Sequence, residues 1–336
     1  MTYHKRMQYY KKVEGKESIV CLLCRHTCKL KEGQTGICGV NQNKEGTLKT
    51  LVYGHPIALN VDPVEKKPLY HLLPGSKVLS FGTVGCNFKC PFCQNWDISQ
   101  THIINENIEV SPEKMVELAI KEGASAIAYT YNEPTIFYPY AKDIGLLAKE
   151  KGLKNIFVSN GFETPEIIED MATWVDAANI DLKSWDESYY KKVLKGGLEA
   201  VKDTLRRMVK AGIWVEVTTL LIEGDNDSDE ALREMASFIA NDLGVDVPWH
   251  LSAFYPNYKM SEHQATGIAT LQRAEQIGKK AGLKHIYLGN VPIAGNTYCP
   301  ECDTLLIDRT GYTVTTNRLQ DGSCPHCSKS IAGVWS

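Results

Sequence analysis

The sequence predicts an α/β protein built on a full or partial (β/α) TIM-like barrel, with a Cys-rich segment before the barrel and a zinc-ribbon-like segment after it. From Lys77 to about Asn290, short apolar runs alternate with amphipathic stretches, the order expected of a parallel sheet joined by helical crossovers. Six or seven such units suit a barrel better than an open doubly wound sheet, and no Gly-x-Gly-x-x-Gly follows the first strand. Eleven cysteines fall into clusters of four, three and four with none left over, one at each end of the chain and one at the close of the first strand. The chain therefore divides into residues 1–75, 76–290 and 291–336.

At 336 residues there is ample core, and 43% hydrophobic with 23% charged residues are globular proportions. A net charge of −3 argues against a nucleic acid backbone as the main partner. The basic start, Met1 to Lys12, lacks the apolar centre of a signal peptide, and no stretch approaches eighteen uninterrupted apolar residues. No membrane association and a cytoplasmic location are expected. In that setting the cysteines point to metal binding rather than disulfides.

In the first segment Cys21, Cys24, Cys28 and Cys38 lie within eighteen positions. Four thiolates can close a coordination shell, and the spacing leaves a structural zinc, a second iron–sulfur cluster and plain reduced thiols open. The stretch from Tyr53 to Gly75, punctuated by proline and glycine, reads as a largely extended approach to the barrel. Its charges Asp62, Glu65, Lys66 and Lys67 read as a solvated face, or as the border of a substrate opening.

The first strand, Val78–Phe81, runs into Cys86-Asn-Phe-Lys-Cys90-Pro-Phe-Cys93. Thiolates with three and then two residues between them can occupy three corners of a cubane, leaving one iron open to a small molecule; a zinc with a distant fourth ligand is the bland alternative. The arrangement, with Phe92 before the last cysteine, resembles the signature of the radical S-adenosylmethionine (SAM) superfamily. The resemblance implies a 4Fe-4S cluster on Cys86, Cys90 and Cys93. It further implies that SAM binds the open iron and that a reducing electron donor drives its cleavage to methionine and a 5′-deoxyadenosyl radical.

In a barrel, active residues belong at the carboxyl ends of the strands. The expected second strand, Ala126–Thr130, ends in Tyr131-Asn132-Glu133-Pro134, similar to the Gly-Gly-Glu-Pro-like turn that receives the SAM amino group, with Tyr131 in place of a glycine. Asn155–Ser159 ends in Ser159-Asn160-Gly161-Phe162, similar to the Thr-Asn-Gly-Phe turn of glycyl-radical-enzyme activases. Ala177–Leu182 carries Asp181-Leu-Lys183, similar to their Asp-Leu-Lys, so the resemblance makes Lys183 the partner of the SAM carboxylate. Asn132, Glu133, Ser159, Asn160, Asp181 and Lys183 are thus the expected cofactor-binding residues. Activases place an acidic residue where this chain has Val158, which puts their monovalent-cation site in doubt. The fifth strand, Trp214–Leu221, offers threonines where a basic residue would be expected. Trp249–Ala253 points His250 toward the barrel, as a packed core residue or, with Lys183, a candidate catalytic group. His285–Leu288 completes the set. Tyr255, Tyr258 and Lys259 follow a strand end and are candidate pocket residues.

In the last segment Cys299-Pro-Glu-Cys302 and Cys324-Pro-His-Cys327 stand twenty-one residues apart, a zinc-ribbon pattern around the strand material Thr304–Thr315. So short a segment has too little core to fold without a staple. The expected role is structural, with partner docking or covering of the active-site mouth as the sharper reading. Taken together the three parts resemble the radical SAM member of the AmmeMemoRadiSam system, related to pyruvate formate-lyase activating enzymes. That resemblance implies Memo-type and AMMECR-type partner proteins and supplies no substrate. Radical SAM chemistry on an unidentified substrate is the leading expectation. Activation of a glycyl radical enzyme is the second, and a non-catalytic iron–sulfur, zinc or electron-transfer protein is the alternative of another class.

Overall fold

The computed structural model describes residues 9–14 and 17–336, so the first eight residues of the basic start lie outside it. Its centre is an eight-stranded sheet of β1 (Ala58–Pro63), β2 (Lys77–Gly82), β3 (Ala126–Tyr129), β4 (Lys154–Ser159), β5 (Ala177–Asp181), β6 (Trp214–Leu221), β7 (Trp249–Ala253) and β8 (Ile286–Gly289). Neighbours in the sheet follow chain order from β1 to β8. Strands β2 to β8 run parallel, and β1 pairs antiparallel with β2. Among the described residues no hydrogen bonds join β8 to β1, so the pairing is an open row of strands rather than a closed ring.

The crossover helices are α1 (Pro112–Lys121), α2 (Tyr138–Glu150), α3 (Pro165–Met171), α4 (Leu198–Lys210), α5 (Asp229–Phe238) and α6 (Ile268–Lys280). The start signals in the sequence act as caps. Ser111 Oγ accepts from Lys114 N with Pro112 at the first position, Thr164 caps Ile167 N before Pro165, and Ser228 caps Ala231 N with Asp229 and Glu230 in the first turn. Each cap satisfies an N–H that the helix itself leaves open. No described helix is long and apolar enough to cross a membrane.

Two apolar regions meet the sheet. The larger holds most of the helix-facing side chains, among them Phe81, Tyr129, Phe157 and Trp174. The smaller gathers Val78, Ala126, Ala128, Ile156 and Ala177 from the strands with Val64, Leu69 and Leu72 from the chain between β1 and β2. Three alanines at facing positions leave space that this connecting segment fills, so one side of the sheet is plugged by its own chain.

That plug corrects the reading of Asp62, Glu65, Lys66 and Lys67 as a solvated face. Asp62, Glu65 and Lys67 are buried and only Lys66 is well exposed. The charges tolerate burial because they are paired: Lys67 Nζ lies 2.7 Å from Asp62, and Glu65 faces the buried guanidinium of Arg309 at 3.4 Å. The plug's backbone is held from the strands as well. Tyr70 and His71 N–H donate to the Glu216 carboxylate, and Asn179 Nδ2 donates to the Pro68 carbonyl.

At the C-terminus, strands Thr297–Tyr298, Leu305–Thr310 and Thr313–Asn317 form an antiparallel sheet over a core of Cys299, Leu306, Ile307, Cys324 and Ile331. Arg309 fastens it, donating to the Tyr70 and Gly295 carbonyls and to Thr297 Oγ1. A bridge between Leu72 and Val334 adds a second attachment. At the other end, the hairpin of Ser18–Cys21 and Lys29–Lys31 docks behind the barrel mouth, where Arg25 N donates to the Phe162 carbonyl and Asn41 Nδ2 to that of Ile136.

Candidate active site

At the carboxyl ends of the parallel strands lies a cavity of about 410 Å³, within the range of small-molecule sites. Its wall includes Cys86, Cys90 and Cys93 from the loop after β2, Asn132 and Glu133 after β3, Ser159 and Asn160 at the end of β4, and Asp181 and Lys183 at the end of β5. Every residue expected to hold a cluster or SAM in the barrel therefore shares one cavity.

The three cysteines are half-buried. The Cys86 sulfur accepts from Phe88 N–H at 3.4 Å, and Cys93 Sγ lies 3.3 Å from Ser99 Oγ. Lys183 Nζ sits 2.6 Å from Asp181, and its ammonium lies 5.9 Å from the Phe92 ring centre. Burial opposes the charge on Lys183, but Asp181 and Cys90 outweigh it and hold its pKa above the ordinary lysine value. A fixed cation thus stands beside the thiols.

The turn after β3 is held from several sides. Asn132 Nδ2 donates to the Gly85 carbonyl at 2.8 Å, tying this turn to the cysteine loop. Glu133 accepts from Ser159 Oγ, Thr135 and Asn160 N. Burial first, and then the neighbouring Glu163, push the Glu133 pKa up, and burial raises Glu163 as well. Asn160 Nδ2 donates to Asn87 Oδ1 at 2.7 Å, while Asn160 Oδ1 is buried with no partner among the described residues, an acceptor left for a ligand.

His250 lies elsewhere. It is near the start of β7, its Nε2 2.6 Å from Glu216, with Tyr70 and Tyr287 against its ring, and the cavity-lining residue of that strand is Ser252. Of the three loop candidates, Tyr258 stacks on Trp96 beside the cysteine loop and Lys259 N donates to the Pro91 carbonyl, whereas Tyr255 bonds to the Asn290 carbonyl. None of the three lines the cavity.

The cavity also has residues that sequence reasoning did not assign to it: Pro68, Asn95, Thr130 and, from the C-terminal sheet, Tyr312. Tyr312 sits in the tight turn Thr310-Gly-Tyr-Thr313, a position with no chemical motif of its own. Val158, Thr218 and Leu220 line the wall, so no acidic or basic side chain occupies those places.

The C-terminal cysteines form a separate group. The sulfurs of Cys299, Cys302, Cys324 and Cys327 all lie within 4.8 Å of one another, as tetrahedral metal coordination requires.

Residues 81–238 match the family model of the radical SAM superfamily. An uncharacterized protein of Methanocaldococcus jannaschii is 40% identical over 330 residues, covering 96% of this chain and 97% of its own length. A second protein of that organism, named for glycyl-radical enzyme activation, is 24% identical over 220 residues, covering 62% of this chain and 77% of its own. The fold is shared with a radical SAM methyltransferase from Sphaerobacter thermophilus, with a TM-score of 0.52 at 18% identity over 64% of this chain and 66% of that one. With the motif-bearing strand ends gathered on one cavity, the chain belongs to the radical SAM superfamily and is an enzyme of that superfamily.

Proposed function

We propose that the protein holds a 4Fe-4S cluster on Cys86, Cys90 and Cys93 and binds SAM beside it, cleaving SAM reductively to remove a hydrogen atom from a substrate. The carrying observation is that three thiols and the Asp181–Lys183 pair line one cavity with the unpartnered Asn160 oxygen. Three protein sulfurs suit a cubane with one open iron, so the donor set fits the group. Bound there, cluster and SAM supply a 5′-deoxyadenosyl radical, which is the hard chemistry the side chains do not perform.

The chain's own residues bind and orient. Lys183 presents a permanent positive charge for the carboxylate of a methionine moiety. Asn132 and Glu133 fix the turn that meets the amino group, and Glu133 in turn holds Asn160 N–H and Ser159 Oγ. Tyr312 and Lys66, toward the C-terminal sheet and the plug, border the substrate side. The 24% identical relative named for glycyl-radical enzyme activation supports a second reading, in which the hydrogen comes from a glycine of a partner enzyme. Memo-type and AMMECR-type proteins remain the partners proposed from the sequence resemblance.

The test is anaerobic. Protein reconstituted with iron and sulfide, given dithionite and SAM, is expected to release 5′-deoxyadenosine, and Cys86→Ala is expected to release none. A wild-type protein with a full cluster and no product would sink the reading.

A further inference from the structure

Four cysteines remain outside the active site and the C-terminal group. Cys21, Cys24 and Cys38 are buried and Cys28 is half-buried. They come together because the Cys21 N–H donates to the Cys28 carbonyl at 2.9 Å, while the turn at Gly36, folded back on Asn41, lies against the Cys28 sulfur and brings Cys38 in. One of the four sulfurs, that of Cys38, has an amide donor on it. Asn41 Nδ2 donates to Cys38 Sγ at 3.5 Å and to the Ile136 carbonyl at 2.7 Å, fixing Cys38 against the barrel-side chain.

Sulfur spacing sets the N-terminal quartet apart from a tetrahedral zinc site. Tetrahedral zinc with Zn–S bonds of about 2.3 Å draws four sulfurs to within roughly 4 Å of one another. The C-terminal quartet meets this, with Cys299 and Cys327 sulfurs 3.5 Å apart and those of Cys302 and Cys324 3.7 Å apart. Among the described residues, neither the N-terminal quartet nor the active-site trio is gathered so tightly. A cluster body between the ligands requires that wider setting.

The quartet also abuts the active-site loop. The Cys38 carbonyl is so close to Gly85 that a Cβ there would come within 2.6 Å of it. His26 Nε2 lies 3.0 Å from the Asn87 carbonyl. The Asn87 side chain adjoins the active-site sulfurs, its Oδ1 3.9 Å from Cys86 Sγ and accepting from Asn160 Nδ2, and its Nδ2 is buried with no partner among the described residues.

We propose that Cys21, Cys24, Cys28 and Cys38 hold a second iron–sulfur cluster, in a segment packed against the active-site loop, and that it relays a single electron inward from an external one-electron reductant. The relay rests on the function proposed above; the second cluster itself does not. The reductant loses one electron, the second cluster gains it and passes it to the cluster on Cys86, Cys90 and Cys93, and the second cluster returns to its oxidised state with no bond or proton moved. Half-buried Cys28 marks the side of entry, and the Cys38 backbone against Gly85 the side that faces the active-site loop.

Iron, sulfide and zinc counts on the anaerobically reconstituted full chain test this, together with electron paramagnetic resonance after dithionite. Wild type is expected to hold about eight iron atoms, and Cys86→Ser/Cys90→Ser/Cys93→Ser about four with a reducible paramagnetic signal, two cubanes and then one. Cys21→Ser/Cys24→Ser is expected to keep the active-site cluster yet reduce it more slowly in stopped flow. A second zinc, or no iron, in the triple variant would overturn the proposal, and wild type with four iron atoms that Cys21→Ser/Cys24→Ser leaves in place would do so with no need of the triple variant. Four iron atoms retained in both wild type and the triple variant would instead uphold the second cluster while refuting the active-site one.

Discussion

Tyr131 stands where related turns have glycine, and its backbone shows why glycine is usual there: φ is +71°, in the left-handed region that strains a side chain by about 1–2 kcal/mol. The strain is offset by the ring and its hydroxyl. The hydroxyl donates to Asp62 at 2.8 Å and accepts from Asn60, Asn95 Nδ2 holds the Tyr131 carbonyl, and Lys67 Nζ lies 4.8 Å from the ring centre. Removing the hydroxyl in Tyr131→Phe is expected to cost about 1–2 kcal/mol in urea unfolding. Tyr131→Gly should cost more, because relief of the backbone does not replace the lost cation–π contact and burial. A Tyr131→Gly protein more stable than wild type would show that the strain outweighs the contacts. From sequence the substitution was visible as a departure. Its compensation was not, since Asp62 and Lys67 lie more than sixty positions away.

At the scale of elements, the strands and their caps followed local signals, whereas β1 and the plug did not. The Tyr53–Gly75 stretch carries prolines and charges that locally favour exposed, extended chain. It becomes an antiparallel edge strand and a barrel filling because β2 offers an unpaired edge and Ala126, Ala128 and Ala177 offer space for Val64, Leu69 and Leu72. Enlarging one of those alanines, in Ala128→Leu, is expected to lower stability by about 1–3 kcal/mol through overpacking. Thermal denaturation reads this, and an unchanged midpoint would mean that the plug yields freely. The C-terminal hairpin is the opposite case, since its knuckles were legible in the sequence. With a core of only five buried residues it should depend on its metal. Metal analysis is expected to find one zinc per chain at Cys299, Cys302, Cys324 and Cys327, absent in Cys302→Ser, and that variant should be cut by protease near Gly295 while the barrel survives.

Across the whole molecule, the plug, β6 to β8 and the C-terminal tail converge on a buried polar cluster below the active site. His71 is fully buried, its Nδ1 2.7 Å from the Ala332 carbonyl and its Nε2 2.7 Å from Tyr287 Oη. Burial pushes its pKa down to about 4, against the opposing charge of Glu216, and burial also pushes His285 down to about 2. An unfolded chain takes up protons below about pH 6.5 that these folded histidines refuse, so stability is lost as pH falls. The loss is of order 2 kcal/mol per histidine between pH 6.5 and 5. Glu216 adds to it at lower pH. Burial would raise its pKa, but the bond and charge of His250, the charge of His71 and the Tyr70 N–H hold it near 2, and that contribution disappears as pH falls from its ordinary range through 2. Melting temperature should therefore drop by several degrees from pH 7 to 5, and His71→Gln, which keeps a donor and an acceptor without titrating, should flatten the profile. By itself the sequence determined the alternation of strand and helix, the three cysteine groups and the strand-end residues that line the cavity, because periodicity, capping and short-range spacing are local properties of the chain. Only the tertiary structure decided that the sheet is an open row of strands, that the charged approach is buried, that His250 pairs with Glu216 away from the cavity, and that the N-terminal cysteine segment packs against the loop of the central one. Those are contacts between residues distant in sequence, set by which surfaces can be buried together with every charge still partnered.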